Sequence, residues 1–262
     1  MKHAWWRSHL RWLADPAPLA RFGDYSEVDE YLPFLTEALD APLGSAILEL
    51  GSGRGSVSVR LAQWGFRVTA VEQSETLIQM ARASADRRGV SVDFRPGDAK
   101  AVTERGYFSG ALIPECGLLT DMQTADLMRS TATALKPGGR LVFSTCNPYH
   151  WSRASTVEHR IAESSDVIRR FRFDFVTGRV MSRARCILAS GERKDLPEVG
   201  FRAYTLPELL RLVTETGFAD LKVYGEETDG RPSLRSVPDP LNTPFFHCVA
   251  LKPVTGEAGD GI

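Results

Sequence analysis

The sequence predicts a doubly wound α/β fold: a mostly parallel seven-stranded sheet with helices on both faces, and a small strand-rich insertion before the last two strands. Three observations predict it. Between Ala46 and Cys146, short apolar runs of strand length alternate with helical patterns, as right-handed βαβ winding requires. Glycine- and proline-rich turns punctuate that alternation, at Gly51 to Gly55, at Pro96-Gly97-Asp98 and at Pro137-Gly138-Gly139. Within Asn147 to Ala203, Asp166 to Asp174 and Arg179 to Cys186 show period-two alternation, the mark of half-buried strands.

Composition sets the frame. The chain has 262 residues, 43% hydrophobic and 25% charged, enough to bury one substantial core. A formal net charge of -1 gives no overall pull toward nucleic acid or an anionic membrane. Cys116, Cys146, Cys186 and Cys248 are scattered, without C-x-x-C pairing or neighbouring histidines. They are expected as small core residues in a reducing cytoplasm; no metal site or disulfide framework is expected. No apolar stretch approaches the roughly 20 residues of a membrane span.

Three units are expected: an N-terminal helical segment over 1–24, a main domain over 25–253 with its insertion at 147–204, and a disordered tail over 254–262. In the first segment Trp6, Leu10 and Leu13 fall at helical spacing beside Trp5 and Trp12, and the pattern stops at Asp15-Pro16. This amphipathic helix either covers a hydrophobic edge or closes as a lid over a ligand cleft. A second helix is predicted over Ser26 to Leu39, with Ser26 as N-cap and Val28, Leu32, Leu35 and Leu39 on one face.

The chain is organised around Ala46 to Gln73. A strand, Ala46-Ile47-Leu48, breaks at Glu49 into a loop with Gly51, Gly53 and Gly55. A helix carrying Val57, Val59 and Leu61 follows, then a second strand, Arg67 to Val71, ending on Glu72. This is half of a nucleotide-binding βαβ unit: the glycines allow sharp turns and close approach to a ligand, and the acid can accept ribose hydroxyl protons. The third glycine of the dinucleotide fingerprint is replaced by Ser56. Next comes a helix capped by Ser74 and ending at Gly89, then a strand over Val90 to Arg95 and the Pro96-Gly97-Asp98-Ala99 turn. Ligands bind outside the carboxyl ends of such strands, so Glu49, Glu72 and Asp98 are expected to converge there. A fourth strand, Ala111 to Ile113, leads into Glu115; a helix over Thr124 to Leu135 and a Lys136-Pro137-Gly138-Gly139 turn lead to a fifth strand, Arg140 to Cys146.

In this order and spacing, ILELGSGRG, RVTAVEQS, PGDA and ALKPGGRLVFST resemble the core of the class I S-adenosylmethionine-dependent methyltransferases. YTLPELLRLVTETGF and VYGEETDGRPS resemble a subgroup that acts on small molecules. The resemblance spans roughly Tyr25 to Pro253 and implies a Rossmann-like sheet with S-adenosyl-L-methionine as cofactor and S-adenosyl-L-homocysteine as product. It places the methionine end on Glu49, Gly51, Ser52, Gly53 and Gly55, the ribose on Glu72 with Gln73, and the adenine on Asp98 with Ala99. Glu115 takes the position after the fourth strand. The chain departs from the family pattern at Ser109 and at Glu115-Cys116, which leaves the substrate open.

In the insertion, Phe171, Phe173 and Phe175 alternate with Arg170, Arg172 and Asp174. After the Thr177-Gly178 turn, Arg179, Met181, Arg183 and Arg185 share the other face of the returning strand. The phenylalanine face is expected on the core or cleft; the arginine face is either solvated or an anion site. Trp5, Trp6, Trp151, Arg183, Arg202 and Tyr204 are the candidate substrate contacts. His150 is the first candidate for a general base, with Glu115 and Tyr149 as alternatives, and Asn147-Pro148-Tyr149 reads as a loop. Thr205 and Glu208 form a capping box for a helix ending at Gly217, and Lys222 to Tyr224 and Phe245 to Lys252 are the last two strands. The expected function is methyl transfer to an O, N or C atom of a small molecule in natural-product metabolism, by a monomer or homodimer without nucleic-acid or membrane partners. The alternatives are an RNA methyltransferase and a non-catalytic cofactor-binding protein.

Overall fold

A computed structural model describes residues 26–98, 102–114, 121–153, 157–160, 166–187, 193–195, 198–227 and 231–254. Trp5 and Trp6, the helix expected over 1–24, Ala99, Glu115 and all but Val254 of the tail expected over 254–262 lie outside the described residues.

Helix α1 covers Ser26–Leu39 and leads into β1, Ala46–Leu50. Then follow α2 (Ser56–Gln63), β2 (Arg67–Glu72), α3 (Glu75–Arg87), β3 (Asp93–Pro96), β4 (Phe108–Ile113), α4 (Asp121–Ala134) and β5 (Leu135–Cys146). A short helix α5, Pro148–Trp151, opens the insertion, whose strands are β6 (Val157–Arg160), β7 (Asp166–Asp174), β8 (Arg179–Ile187), β9 (Arg193–Asp195) and β10 (Val199–Arg202). Helix α6 (Leu206–Glu215), β11 (Ala219–Tyr224) and β12 (Phe245–Leu251) complete the chain.

The main sheet has seven strands in the order β11-β12-β5-β4-β1-β2-β3. Strands β1 to β5 run parallel, and β12 runs antiparallel to both its neighbours, β5 and β11. All five residues of β1 are buried, as expected for a parallel strand covered on both faces. Alternation sorts them: Ile47 joins Leu32, Leu35 and Leu39 of α1 and Leu61 of α2, while Leu48 joins Met128 of α4 and Leu209 and Val213 of α6. Helices therefore cover both faces, as the pattern predicts.

Three expectations need correction. Strand β1 runs on through Leu50, so Glu49 lies inside the sheet, level with Ala70 and Leu112, and not in the loop. The Lys136 to Gly139 turn is absorbed into β5: Phe108 pairs with Leu135 but Gly110 with Arg140, so the extra residues bulge out of the ladder around Gly138 at φ 75. Asn147-Pro148-Tyr149 does not form a loop but starts α5. The Asn147 side chain caps it and Pro148 occupies its first turn, where its missing N–H costs nothing.

Among the described residues the insertion forms a second, antiparallel sheet of five strands, with β6 and β9 beyond the three strands expected. Phe171, Val180 and Phe201 share its inner face and are buried in the cluster that holds Trp151 and Phe245. Arg170, Arg172, Arg183 and Arg185 share the outer face and are exposed. Among the described residues no helix is long and apolar enough to cross a membrane.

Candidate active site

The glycine loop is shaped by hydrogen bonds to the end of β2. The N–H groups of Gly51 and Ser52 donate to Val71 O at 2.9 and 3.1 Å, and Gly53 N–H donates to Glu72 Oε2 at 2.9 Å. Ser74 N–H donates to Glu72 Oε1 at 2.9 Å, so both carboxylate oxygens are oriented by backbone. Each keeps one lone-pair direction for a further donor. Gly97 N–H donates to Glu72 O at 2.9 Å, which brings the turn bearing Asp98 to the tip of β2. Gln73 and Asp98 are exposed at these neighbouring tips.

Two glycines are required for different reasons. At Gly55, φ 73, a Cβ would stand 2.9 Å from Ala81 Cβ and from the Phe94 ring, so the loop packs there without space for a side chain. At Gly51, φ 75, a Cβ would meet nothing within 4 Å: the backbone conformation demands glycine and the space above it is open.

Glu49 sits beneath this loop, fully buried. Its Oε2 accepts the Ser58 hydroxyl of α2, while its Oε1 and the buried Ser52 Oγ have no protein partner. Burial pushes the Glu49 carboxyl up to about 7, against the lowering effect of Ser58 and with a smaller raising contribution from Glu72. Ser58 was not legible as a partner, because a serine in an apolar helical pattern has the same signature whether or not an acid lies across from it.

The candidate bases His150 and Tyr149 lie just past the end of β5. Because β12 is antiparallel, its first residue, Phe245, stands beside Cys146, and the preceding loop reaches α5. Asn147 is fully buried. Its Nδ2 donates to Pro240 O at 2.9 Å and Thr243 O at 2.6 Å, and its Oδ1 accepts the N–H groups of Tyr149 and His150. His150 Nδ1 lies 3.0 Å from Leu241 O, and the imidazole meets the Trp151 indole edge-on. Burial is the largest influence on His150 and holds its pKa below the usual histidine value, assisted by Arg153 and opposed by the Leu241 contact and Glu226. Tyr149 is partly exposed and tilts against Phe246.

The candidate substrate contacts divide. Trp151 is 2% exposed, donates Nε1–H to Pro244 O at 2.9 Å and packs on Phe171 and Phe245, so its surface is taken up by the core. Arg202 and Tyr204 do come together, with the guanidinium 4.6 Å from the ring centroid, but in a closed network. Arg202 pairs with Asp121 at 3.1 Å and Glu208 at 2.6 Å, and Tyr204 donates to Asp121 at 3.2 Å, tying the insertion to α4 and α6. Arg183 is exposed on the outer face, 3.6 Å from Glu198. The capping box is present: Thr205 Oγ1 accepts from Glu208 N–H, and Glu208 accepts from Thr205 N–H.

The strand order and the glycine loop at its reversal point define a class I methyltransferase fold. More particularly, residues 47–139 match the family described as a methyltransferase domain. It is 34% identical over 108 residues to the ubiquinone biosynthesis O-methyltransferase of Xanthomonas axonopodis pv. citri, covering 40% of this chain and 45% of that protein. The chain spans less than two thirds of the length of the curated relatives it matches. Among solved structures, the CcbJ methyltransferase of Streptomyces caelestis superposes with a TM-score of 0.69 at 20% identity, covering 86% of this chain and 89% of that one. The S-adenosylmethionine-bound structure of CalS10, an amino pentose methyltransferase of Micromonospora echinaspora involved in calicheamicin biosynthesis, superposes with a TM-score of 0.60 at 17% identity, covering 96% and 98%.

Proposed function

We propose that the protein is an S-adenosylmethionine-dependent methyltransferase acting on an oxygen, nitrogen or carbon atom of a small molecule in specialised metabolism. The observation that carries this reading is Glu72, whose two oxygens are oriented by Gly53 N–H and Ser74 N–H at a strand tip beneath the glycine loop. A carboxylate held in this way suits the two hydroxyls of a ribose, on the lone pairs its backbone donors leave. The residues present fit the cofactor in other respects too. Space is open above Gly51, Glu49 Oε1 and Ser52 Oγ are buried polar atoms in want of a donor or acceptor, and Asp98 stands at the adjoining tip for the adenine amino group.

Bound S-adenosylmethionine supplies a methyl group already activated by a positively charged sulfur. The protein's part is then to hold the acceptor atom in line and exclude water, an arrangement worth about 7–11 kcal/mol in well-oriented model reactions. Acceptors that must lose a proton need a base, and His150 has the better case for it than Tyr149. Its depressed pKa leaves it neutral near pH 7. A small-molecule substrate is favoured over RNA by the net charge of -1 and by outer-face arginines that pair with Glu198 and Asp195.

Equilibrium dialysis with labelled S-adenosylmethionine and, separately, NAD tests the reading. Binding of the sulfonium cofactor alone supports it, and binding of NAD alone ends it. Glu72→Ala is expected to weaken cofactor binding more than tenfold with the circular dichroism spectrum unchanged, because a preorganised acceptor is lost. Equal affinity would put the ribose elsewhere.

A further inference from the structure

We infer that Asn147 and Asp239 are positioning residues which, through the carbonyl of Leu241, fix the tautomer of His150 and leave its Nε2 as the bare, proton-accepting nitrogen. The inference rests on the reading above, in which His150 receives a proton from the acceptor. A carbonyl oxygen only accepts, so the 3.0 Å contact between Leu241 O and His150 Nδ1 places the ring's hydrogen on Nδ1. A neutral imidazole carries one such hydrogen, and Nε2 keeps its lone pair.

What decides the tautomer is therefore whatever holds that carbonyl. Asp239 winds the loop around itself. Its Oδ1 accepts from Leu241 N–H at 2.9 Å and Asn242 N–H at 3.3 Å, and its Oδ2 accepts from Asn242 Nδ2 at 2.7 Å. Its own N–H donates to Thr243 Oγ1 at 3.1 Å. The Asn242 N–H shares a rigid peptide plane with the Leu241 carbonyl, so its bond to Asp239 orients the oxygen that faces the imidazole, while the Leu241 N–H bond fixes the plane before it.

Asn147 ties this loop to α5. One end of its amide donates both hydrogens to Pro240 O and Thr243 O, on either side of Leu241, and the other accepts the N–H groups of Tyr149 and His150. A single buried side chain thus sets both the backbone that carries the imidazole and the segment that carries its partner carbonyl. Trp151 Nε1–H on Pro244 O closes the far side. The charged groups around His150 are Glu226 from the loop after β11, which favours the imidazolium, and Arg153 beyond α5, which disfavours it; Asp239 in turn faces Arg153. The Leu241 carbonyl, at hydrogen-bond distance from Nδ1, selects between the two neutral tautomers.

The test uses the full chain with 15N-labelled histidine. Long-range correlation from the ring protons separates a protonated ring nitrogen from a bare one, and loss of signals in His150→Gln assigns the residue. Above pH 7 the unmodified protein is expected to show Nδ1 protonated and Nε2 bare. Asn147→Ala and Asp239→Ala should each convert His150 to a mixture of tautomers. Asp239→Asn, which keeps an Oδ1 acceptor for the Leu241 and Asn242 N–H groups, should restore the original pattern. An unmodified protein with Nε2 protonated, or tautomers unmoved by the alanine changes, overturns the inference. Should Asn147→Ala fail to fold, the exposed Asp239 pair of variants decides it alone. Cofactor binding on the same samples separates the two ideas: a chain that binds no S-adenosylmethionine yet holds the Nδ1–H form loses the methyl-transfer reading and keeps the tautomer.

Discussion

At the glycine loop the contacts that shape the backbone join near neighbours: Gly53 reaches Glu72 nineteen residues on, and Ser74 reaches the same carboxylate from two residues away. At α5, the bonds from Asn147, His150 and Trp151 to the loop before β12 span 91 to 96 residues. Both regions follow the carboxyl ends of parallel strands of one sheet. The first comes from a continuous βαβ stretch and closes short loops; the second exists only after β12 has inserted beside β5, at a larger cost in chain entropy. Damage to the first is therefore expected to show in cofactor affinity unless it reaches the packing beneath, and damage to the second in assembly and in the geometry of His150.

The largest effect that would sharpen this contrast is at Gly55. Gly55→Ala adds a Cβ 2.9 Å from Ala81 and Phe94 in a left-handed conformation. Left-handed strain and overpacking together should cost about 4 kcal/mol in a urea titration. Gly51→Ala meets no atom within 4 Å and bears the conformational term alone, about 1 kcal/mol, so its deficit should appear in dialysis. Equal destabilisation by the two would break the distinction between packing glycine and ligand-facing glycine.

Next in size is Glu49. Its folded pKa, about 7, lies above the ordinary glutamate value of 4.5. The proton is thus held more tightly in the folded state; the stability linked to it is present in full below about 4.5 and is lost as pH rises through about 7. Glu49→Gln, which needs no proton to stay neutral, should be more stable than the unmodified protein by about 3 kcal/mol at pH 8 and no more stable at pH 4. Urea midpoints at the two values check this; an advantage at pH 4 that vanished at pH 8 would reverse the sign and refute the assignment.

In the long-range half, Arg202→Ala removes an arginine that pairs with Asp121 and Glu208 and covers Tyr204, with 13% of its side chain exposed. A loss of about 2 kcal/mol is expected. Arg183→Ala, on a side chain 68% exposed, should change stability by less than about 0.5 kcal/mol. If Arg183 proved the costlier, the outer face would be more than a solvated surface.

Much of this architecture was legible beforehand, and the reasons differ by element. The capping box at Thr205 and Glu208, the Ser74 cap and the β7–β8 hairpin at Thr177-Gly178 are local devices, and each is present. Glu72 ends β2 as the sequence predicts, because a strand followed by an acid is a pattern of one segment. Glu49 was misplaced by a single break in an apolar run: a buried glutamate reads as a strand end until its partner, Ser58, folds back over it. The α5 clamp escaped for a stronger reason. Asp239 stands between two prolines and Asn147 precedes one, but nothing in either segment states that an amide of one would meet the carbonyls of the other. Trp151, Arg202 and Tyr204 looked like ligand contacts because aromatic and cationic side chains suit both ligands and cores.

Hydrophobic period, turn chemistry and caps were sufficient to settle the winding order, the glycine loop and the acid at the tip of β2, since each depends on residues close in the chain. Which polar groups end up buried together, whether a tryptophan is spent on packing, and which nitrogen of His150 carries the hydrogen were decided only when distant segments met, because the electrostatics and solvation of a side chain belong to its neighbours in space.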